Sequence, residues 1–219
     1  MDQIKEKLIS DYLSRILEVN TYLNLTRISE ESNAQLLHIE DSLSALEELN
    51  SAPEGLYGDL GSGGGFPGVP LAIATGRETI LIDSVQKKMK AVNEILDNLG
   101  LTPQISTSGE RIEDLGNSMR GQFSVLTARA LSQLGVLLEL SSPLLKQNGQ
   151  LICLKASVSE DEFNHALTLE EKTGMKLKSR RAFLLSDGET KREILVFEKN
   201  AEPTMKLPRR VGLAQKKPL

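Results

Sequence analysis

The sequence predicts an α/β fold: a mostly parallel seven-stranded sheet with helices on both faces, an antiparallel edge, and helices added ahead of the first strand. Three observations carry that expectation. From Leu56 onward, short apolar runs alternate with helical patterns; the first run ends in a glycine-rich turn, "GDLGSGGGFPG"; and the last two runs are joined by the turn-like "SDGETKR", as in a hairpin.

Ahead of the alternation, Ile4, Leu8, Tyr12, Leu13, Ile16 and Leu17 recur at helical spacing while Lys5, Lys7, Ser14 and Glu18 occupy other faces, so the chain opens with an amphipathic helix. A second helix is expected over 33–49, with Leu36, Leu37, Ile39, Leu43 and Leu46 as its apolar face and "NSAPEG" as its stop. The alternation then reads strand 56–60, helix 69–75, strand 79–82, helix 85–99, strand 103–107, a short helix near 112–115, strand 123–127, helix 133–145 and strand 150–154. A helix over 160–172 and strands over 177–184 and 193–198 complete it. The expected organisation is an N-terminal helical extension over 1–52 packed on the core, a core over 53–200 and a basic tail over 201–219.

Composition narrows the function. A hydrophobic fraction of 39% and a charged fraction of 26% describe an ordinary globular chain, and no apolar run has the length to span a bilayer. The start "MDQIKEKLISDYL" is charged and has no small-residue cleavage site, so a cytosolic protein is expected. Cys153 is the one cysteine, in the apolar setting "LICLK", which reads as an inert buried thiol; with only His38 and His165 beside it, no zinc site is expected. Net charge is −4, yet Lys206, Arg209, Arg210, Lys216 and Lys217 stand in the last 17 residues with no acid among them. Such a run is either a solvated tail or a contact for phosphate.

The glycine turn sits where an open parallel sheet binds ligands, at the carboxyl end of its first strand. Two glycine codes compete for it. The dinucleotide pattern G-x-G-x-x-G would need glycine where Phe66 stands, whereas Asp59-x-Gly61-x-Gly63-x-Gly65 fits the acidic-x-G-x-G-x-G pattern of S-adenosylmethionine-dependent methyltransferases. That cofactor has no phosphate to seat on a helix N-terminus; bare backbone at Gly61, Gly63 and Gly65 lets it lie against the turn, and Asp59 is placed to face its cationic amino-acid end. Asp83 ends the next strand, 24 positions after Asp59, where a carboxylate can hold two ribose hydroxyls; it or Ser84 could equally cap the following helix.

These residues, with "NLT" at 24–26, "HIEDSL" at 38–43, "LIDSVQKKMKAV", "RIED" at 111–114, "TARAL" at 127–131, "LKQNGQLICLKA" and "PRRVGLAQKKPL", resemble the glucose-inhibited division protein B family over almost the whole length. These are bacterial small-subunit (16S) ribosomal RNA methyltransferases that make 7-methylguanosine. Leu213 and Ala214 depart from the pattern, which places a proline soon after Gly212. The resemblance implies a Rossmann-like class I methyltransferase with S-adenosylmethionine as cofactor and small-subunit ribosomal RNA, or a ribosomal particle, as partner; membrane and metal are not expected, and a monomer is. It also implies cofactor contacts at Gly61, Phe66, Ile112, Glu113 and Arg129: Phe66 as an apolar wall, Ile112 on adenine, Glu113 or adjacent backbone at its polar edge, and Arg129 on the cofactor carboxylate or an RNA phosphate. Asn24, His38 and Asp41 match the family's N-terminal pattern, either docking helices or meeting substrate.

Guanine N7 offers a free lone pair on the major-groove edge, so methylating it requires no proton to be removed first. This agrees with a sequence in which no residue stands out as catalytic. Arg209, Arg210, Lys216 and Lys217 then read as RNA contacts, helped by Lys87, Lys88 and Lys90 on one helix and by Arg180 and Arg181. With three Tyr, five Phe and no Trp there is little material for a stacking platform, so recognition should rest on RNA shape and phosphates. A methyltransferase for a small molecule or protein, or a non-catalytic cofactor-binding module, are the alternatives.

Overall fold

The computed structural model describes residues 2–26 and 34–219. Helix α1 (Gln3–Leu23) begins where the Asp2 carboxylate accepts the Lys5 amide at 2.9 Å, and it ends at Asn24, whose left-handed φ of 48° turns the chain away. The second expected helix is broken rather than continuous, and its expected start at Asn33 lies outside the described residues. A π-helical turn (Gln35–Glu40) runs directly into α2 (Asp41–Leu43), and α3 (Leu46–Ser51) follows a turn at Ser44 and Ala45. The wider turn leaves His38 and Asp41 buried on the inner side, in keeping with the frequent use of π turns at functional sites.

The alternation follows as expected: β1 (Tyr57–Leu60), α4 (Gly68–Thr75), β2 (Thr79–Ile82), α5 (Gln86–Asn98), β3 (Ile105–Ser108), α6 (Ile112–Ser118), β4 (Phe123–Arg129), α7 (Leu134–Ser141) and β5 (Leu145–Lys155). Helix α7 stops short of its expected end: Ser142 still has helical dihedrals and donates to the Leu138 carbonyl, but Pro143 has no amide with which to continue the ladder. Then come α8 (Glu160–Thr168), α9 (Glu170–Thr173), β6 (Met175–Leu184), β7 (Lys191–Lys199) and α10 (Leu213–Lys216). The seven strands lie in the order β3-β2-β1-β4-β5-β7-β6, parallel from β3 through β5, with β7 antiparallel to both its neighbours.

Helices cover both faces. On one, Ile9, Tyr12 and Ile16 of α1 pack with Val69, Met89, Val92 and Ile105; on the other, Leu134, Leu137 and Leu138 of α7 pack with Leu60, Phe123, Leu126 and Phe197. The strand order reverses between β1 and β4, which opens a crevice at their carboxyl ends. Helix α1 is fastened to that crevice, because the buried Tyr12 hydroxyl donates to the Gly64 carbonyl at 2.9 Å. Burial, with the charge of Asp59, holds the Tyr12 pKa well above its ordinary value, so it remains a donor.

Candidate active site

The turn after β1 is built from backbone before any ligand is considered. Gly61, Gly63 and Gly65 all take positive φ, at 67°, 54° and 82°, and the Gly61 and Ser62 amides donate to the Ile82 carbonyl at 2.8 and 3.1 Å. A Cβ on Gly65 would lie 2.2 Å from the Tyr12 hydroxyl, and one on Gly61 would lie 2.6 Å from Leu131 Cδ1. At these two positions the side chains that come close belong to the protein itself. At Gly63 the nearest atom is 3.5 Å away, and the left-handed backbone alone calls for glycine.

Asp59 is placed differently from the sequence expectation. Its carboxylate is fully buried beneath the turn, where Oδ2 accepts the Gly68 amide at 3.0 Å and Oδ1 accepts the Thr127 hydroxyl at 2.7 Å. It thus joins β1 to β4 and to the start of α4 rather than facing a cationic ligand. Burial raises its pKa from 3.8 to about 7, against the opposing pull of those two hydrogen bonds and of Arg129. Phe66 also turns inward: its ring stacks on His38 at 4.3 Å and meets Tyr12 edge-on at 5.6 Å, so it braces the N-terminal helices against the turn.

Two cavities of unlike chemistry flank residues 129–131. The smaller, about 90 Å³, is bounded by Gly61, Asp83, Ile112, Glu113, Leu131 and Gln215. Asp83 accepts the Gly63 amide at 3.0 Å and the Val85 amide at 2.9 Å, locking the turn to the entry of α5, while each oxygen retains acceptor capacity. Neither Asp83 nor Ser84 is the N-cap of α5, a place that Val85 takes without a side-chain hydrogen bond; Asp83 instead fixes the approach to it. Glu113 Oε1 accepts the Gly212 amide at 2.7 Å. Apolar walls at Ile112 and Leu131 beside the Asp83 acceptor suit a nucleoside, so the donor set fits S-adenosylmethionine. The volume falls well short of the roughly 300 Å³ at which small-molecule pockets begin, so seating the nucleoside requires one wall to withdraw.

The larger cavity, about 540 Å³, brings together Thr26, His38, Asp41, Arg129, Lys155 and Arg192. Asp41, only 4% exposed, lies between two guanidiniums: Arg129 donates to its Oδ2 at 2.9 Å and Arg192 to its Oδ1 at 2.7 Å. Arg129 also donates to the Leu37 carbonyl at 2.9 Å, so it fastens the π turn to the end of β4. Its side chain is thus in a buried ion pair, neither free for a ligand carboxylate nor a surface pair. His38 shares a hydrogen bond with Thr26 at 3.1 Å. Ala130, between the cavities, holds a φ of 52°, a strained conformation for a residue with a Cβ. Lys155 and Arg192 escaped the sequence reading. Lys155 ends β5 as Arg129 ends β4, so the strand-end rule could have found it; Arg192 reaches the same edge because β7 runs antiparallel, which only the sheet order reveals.

The candidate RNA contacts divide. Arg210, Lys216 and Lys217 are exposed, as are Lys87 and Lys90. Arg209 is not available: its Nε and NH2 meet the Glu139 carboxylate at 2.6 and 2.5 Å. Arg180 pairs with Glu160 and Glu193, and Arg181 with Glu48, so these two also brace the fold. Among the described residues no cluster of His, Cys, Asp and Glu could hold a metal ion, and no helix is long and apolar enough to cross a membrane.

Comparison with known proteins places this geometry. The GidB family model, described as rRNA small subunit methyltransferase G, matches residues 5–194. A ribosomal RNA small subunit methyltransferase G of Lactobacillus johnsonii is 32% identical over a 224-residue alignment that covers 100% of this chain and 93% of that one. Its counterpart from Streptococcus pyogenes serotype M49 is 37% identical over 213 residues, covering 95% and 89%. Among solved structures, an O-methyltransferase from Bacillus cereus in complex with SAH superposes with a TM-score of 0.60 at 14% identity, covering 86% of this chain and 90% of that one. A geranyl diphosphate methyltransferase in complex with SAM gives 0.58 at 12% identity, covering 72% and 84%. The structural likeness establishes the class I methyltransferase fold, and on the sequence matches the chain belongs to the GidB family, rRNA small subunit methyltransferase G.

Proposed function

We propose that this protein transfers a methyl group from S-adenosylmethionine to N7 of a guanine in small-subunit ribosomal RNA, with the cofactor's nucleoside in the smaller cavity and the target base in the larger. The observation that carries the reading is the placement of the two cavities on either side of residues 129–131, with Arg129 and Ala130 lining one and Leu131 the other, at the carboxyl edge of the sheet. The larger one has the volume of a ligand site and is lined by Arg129 and Arg192 against the single carboxylate of Asp41, with Lys155 paired to Glu162 at 2.9 Å, so one positive charge is left in excess, which favours an anionic guest.

When bound, S-adenosylmethionine supplies a methyl group activated by its sulfonium. The N7 lone pair forms the new N–C bond, the C–S bond breaks with its electrons left on sulfur, and no proton changes hands. No general base is needed, in agreement with His38 and Asp41 both being held by internal partners. The chain's contribution is alignment in a dry, polar setting. In this reading Asp83 accepts the ribose hydroxyls, Ile112 packs on adenine and Glu113 meets its polar edge. Gly61 permits close approach; Gly63, Gly65, Phe66 and buried Asp59 hold the turn. Exposed Arg210, Lys216 and Lys217 supply sequence-blind phosphate contacts, and the base enters unstacked.

The test is methyl transfer from a tritium-labelled donor to small ribosomal subunits, deproteinised RNA and total cell protein. Label is expected in RNA, recovered as 7-methylguanosine after digestion. Label found solely in protein or small molecules, or cofactor retained without transfer to RNA, would overturn the reading.

A further inference from the structure

The smaller cavity is closed on one side by chain that lies outside the α/β sheet. Gly212 and Gln215 line it, and the Gly212 amide holds Glu113. This segment follows β7 and returns to the carboxyl edge, where Leu207 and Ala214 are buried and Ala214 packs with Val136 and Leu140 of α7. Arg209 clamps it at both ends: one guanidinium grips Glu139 of α7 and also donates to the Lys217 carbonyl at 2.9 Å. The Glu139 side chain is 2% exposed in the apolar stretch "LLELS", where an unpaired carboxylate would be strongly disfavoured. The site of Glu139 therefore specifies where the segment lies. The cavity it leaves, about 90 Å³, is too small for a nucleoside.

We infer that residues 207–217 form a movable wall of the cofactor site, with Arg209 as the positioning residue that returns it to its seat, so that the cofactor enters and leaves by displacing this segment. The inference rests on the reading that the smaller cavity takes the cofactor's nucleoside. A positioning role predicts a split in kinetics. Because the seated segment leaves no room for the nucleoside, Arg209→Ala is expected to lower the KM for S-adenosylmethionine and the Kd for its demethylated product by about tenfold or more, mainly through faster entry, with a smaller change in kcat. Arg209→Lys, which keeps the charge near Glu139 but loses the forked contact, should fall between.

A second measurement does not depend on the variant folding. In the unaltered chain, saturating S-adenosylhomocysteine should speed amide exchange across 210–217 by about tenfold or more, the Gly212 amide included, because the bound nucleoside holds the segment off its seat. Unchanged exchange there, or a folded Arg209→Ala protein that binds and releases the product like the unaltered chain, overturns the inference while leaving the proposed function intact. An unaltered chain that retains no S-adenosylmethionine overturns both.

Discussion

Replacing Asp59 with Asn should flatten the dependence of stability on pH, and the structure supplies the size of the effect. The carboxyl group is fully buried, and its pKa rises from 3.8 to about 7 through loss of solvation, reinforced by the charge of Asp83 and opposed by Thr127, the Gly68 amide and Arg129. Between those two values the folded chain keeps a proton that the unfolded chain has released, so stability falls as pH rises through the window. This is the reverse of a salt-bridged carboxylate. Each pH unit is worth ~1.4 kcal/mol, so the full window amounts to about 4 kcal/mol, of which about 3 kcal/mol is lost from about pH 5 upward. Against a total stability of roughly 5–15 kcal/mol such a loss is readily measured. The amide preserves the geometry: its oxygen can accept the Gly68 amide while its NH₂ donates to Thr127, whose hydroxyl lies 2.7 Å from that of Tyr57. Urea unfolding of both proteins at about pH 5 and about pH 8 should show the stability difference moving by about 2–3 kcal/mol in favour of the Asp59→Asn variant at the higher pH. A difference that stays constant, or moves toward the unaltered protein, would refute the argument, since all other titrating groups are shared.

The glycine turn gives a graded prediction: Gly63→Ala should cost about 1–3 kcal/mol from backbone strain alone, and Gly65→Ala more, because its Cβ also meets Tyr12. Chemical denaturation should show that ranking, and adding Tyr12→Phe to Gly65→Ala should recover part of the loss. Changing Arg210, Lys216 and Lys217 to Ala should lower the slope of log affinity for RNA against log salt by on the order of 2, in binding measured across a salt series. Changing Arg180 and Arg181, already paired with carboxylates, should leave the slope unaltered. Cys153 is fully buried and its thiol is pushed up to about 12, so modification at neutral pH should proceed no faster than unfolding; rapid labelling of the native protein would contradict its burial.

Much of this molecule answers to local rules. Apolar positions two apart or three to four apart mark strands and helices because each element has a single face to bury, so the alternation, the hairpin edge and the turn after β1 were legible in the residues themselves. Asp83 at a strand end and the glycines at 61, 63 and 65 were legible for the same reason. The cause assigned to the glycines was incomplete: a close neighbour was rightly inferred, but at Gly65 it is Tyr12, 53 positions upstream on another helix. The π turn was not legible either, since "QLLHIEDSL" satisfies a regular helix equally well and its departure serves contacts made elsewhere.

What the sequence by itself determined is the order of strands and helices from β1 to β7, the place of the ligand crevice at the carboxyl end of β1, and the family. Only the tertiary structure decided which charges are free. Arg129 is paired with Asp41, 88 positions away, and Arg209 with Glu139, 70 positions away, whereas Arg210, Lys216 and Lys217 face solvent. The physical reason is that a side chain's periodicity tells which face it occupies, while its partner depends on which distant element the strand order and helix packing bring opposite that face.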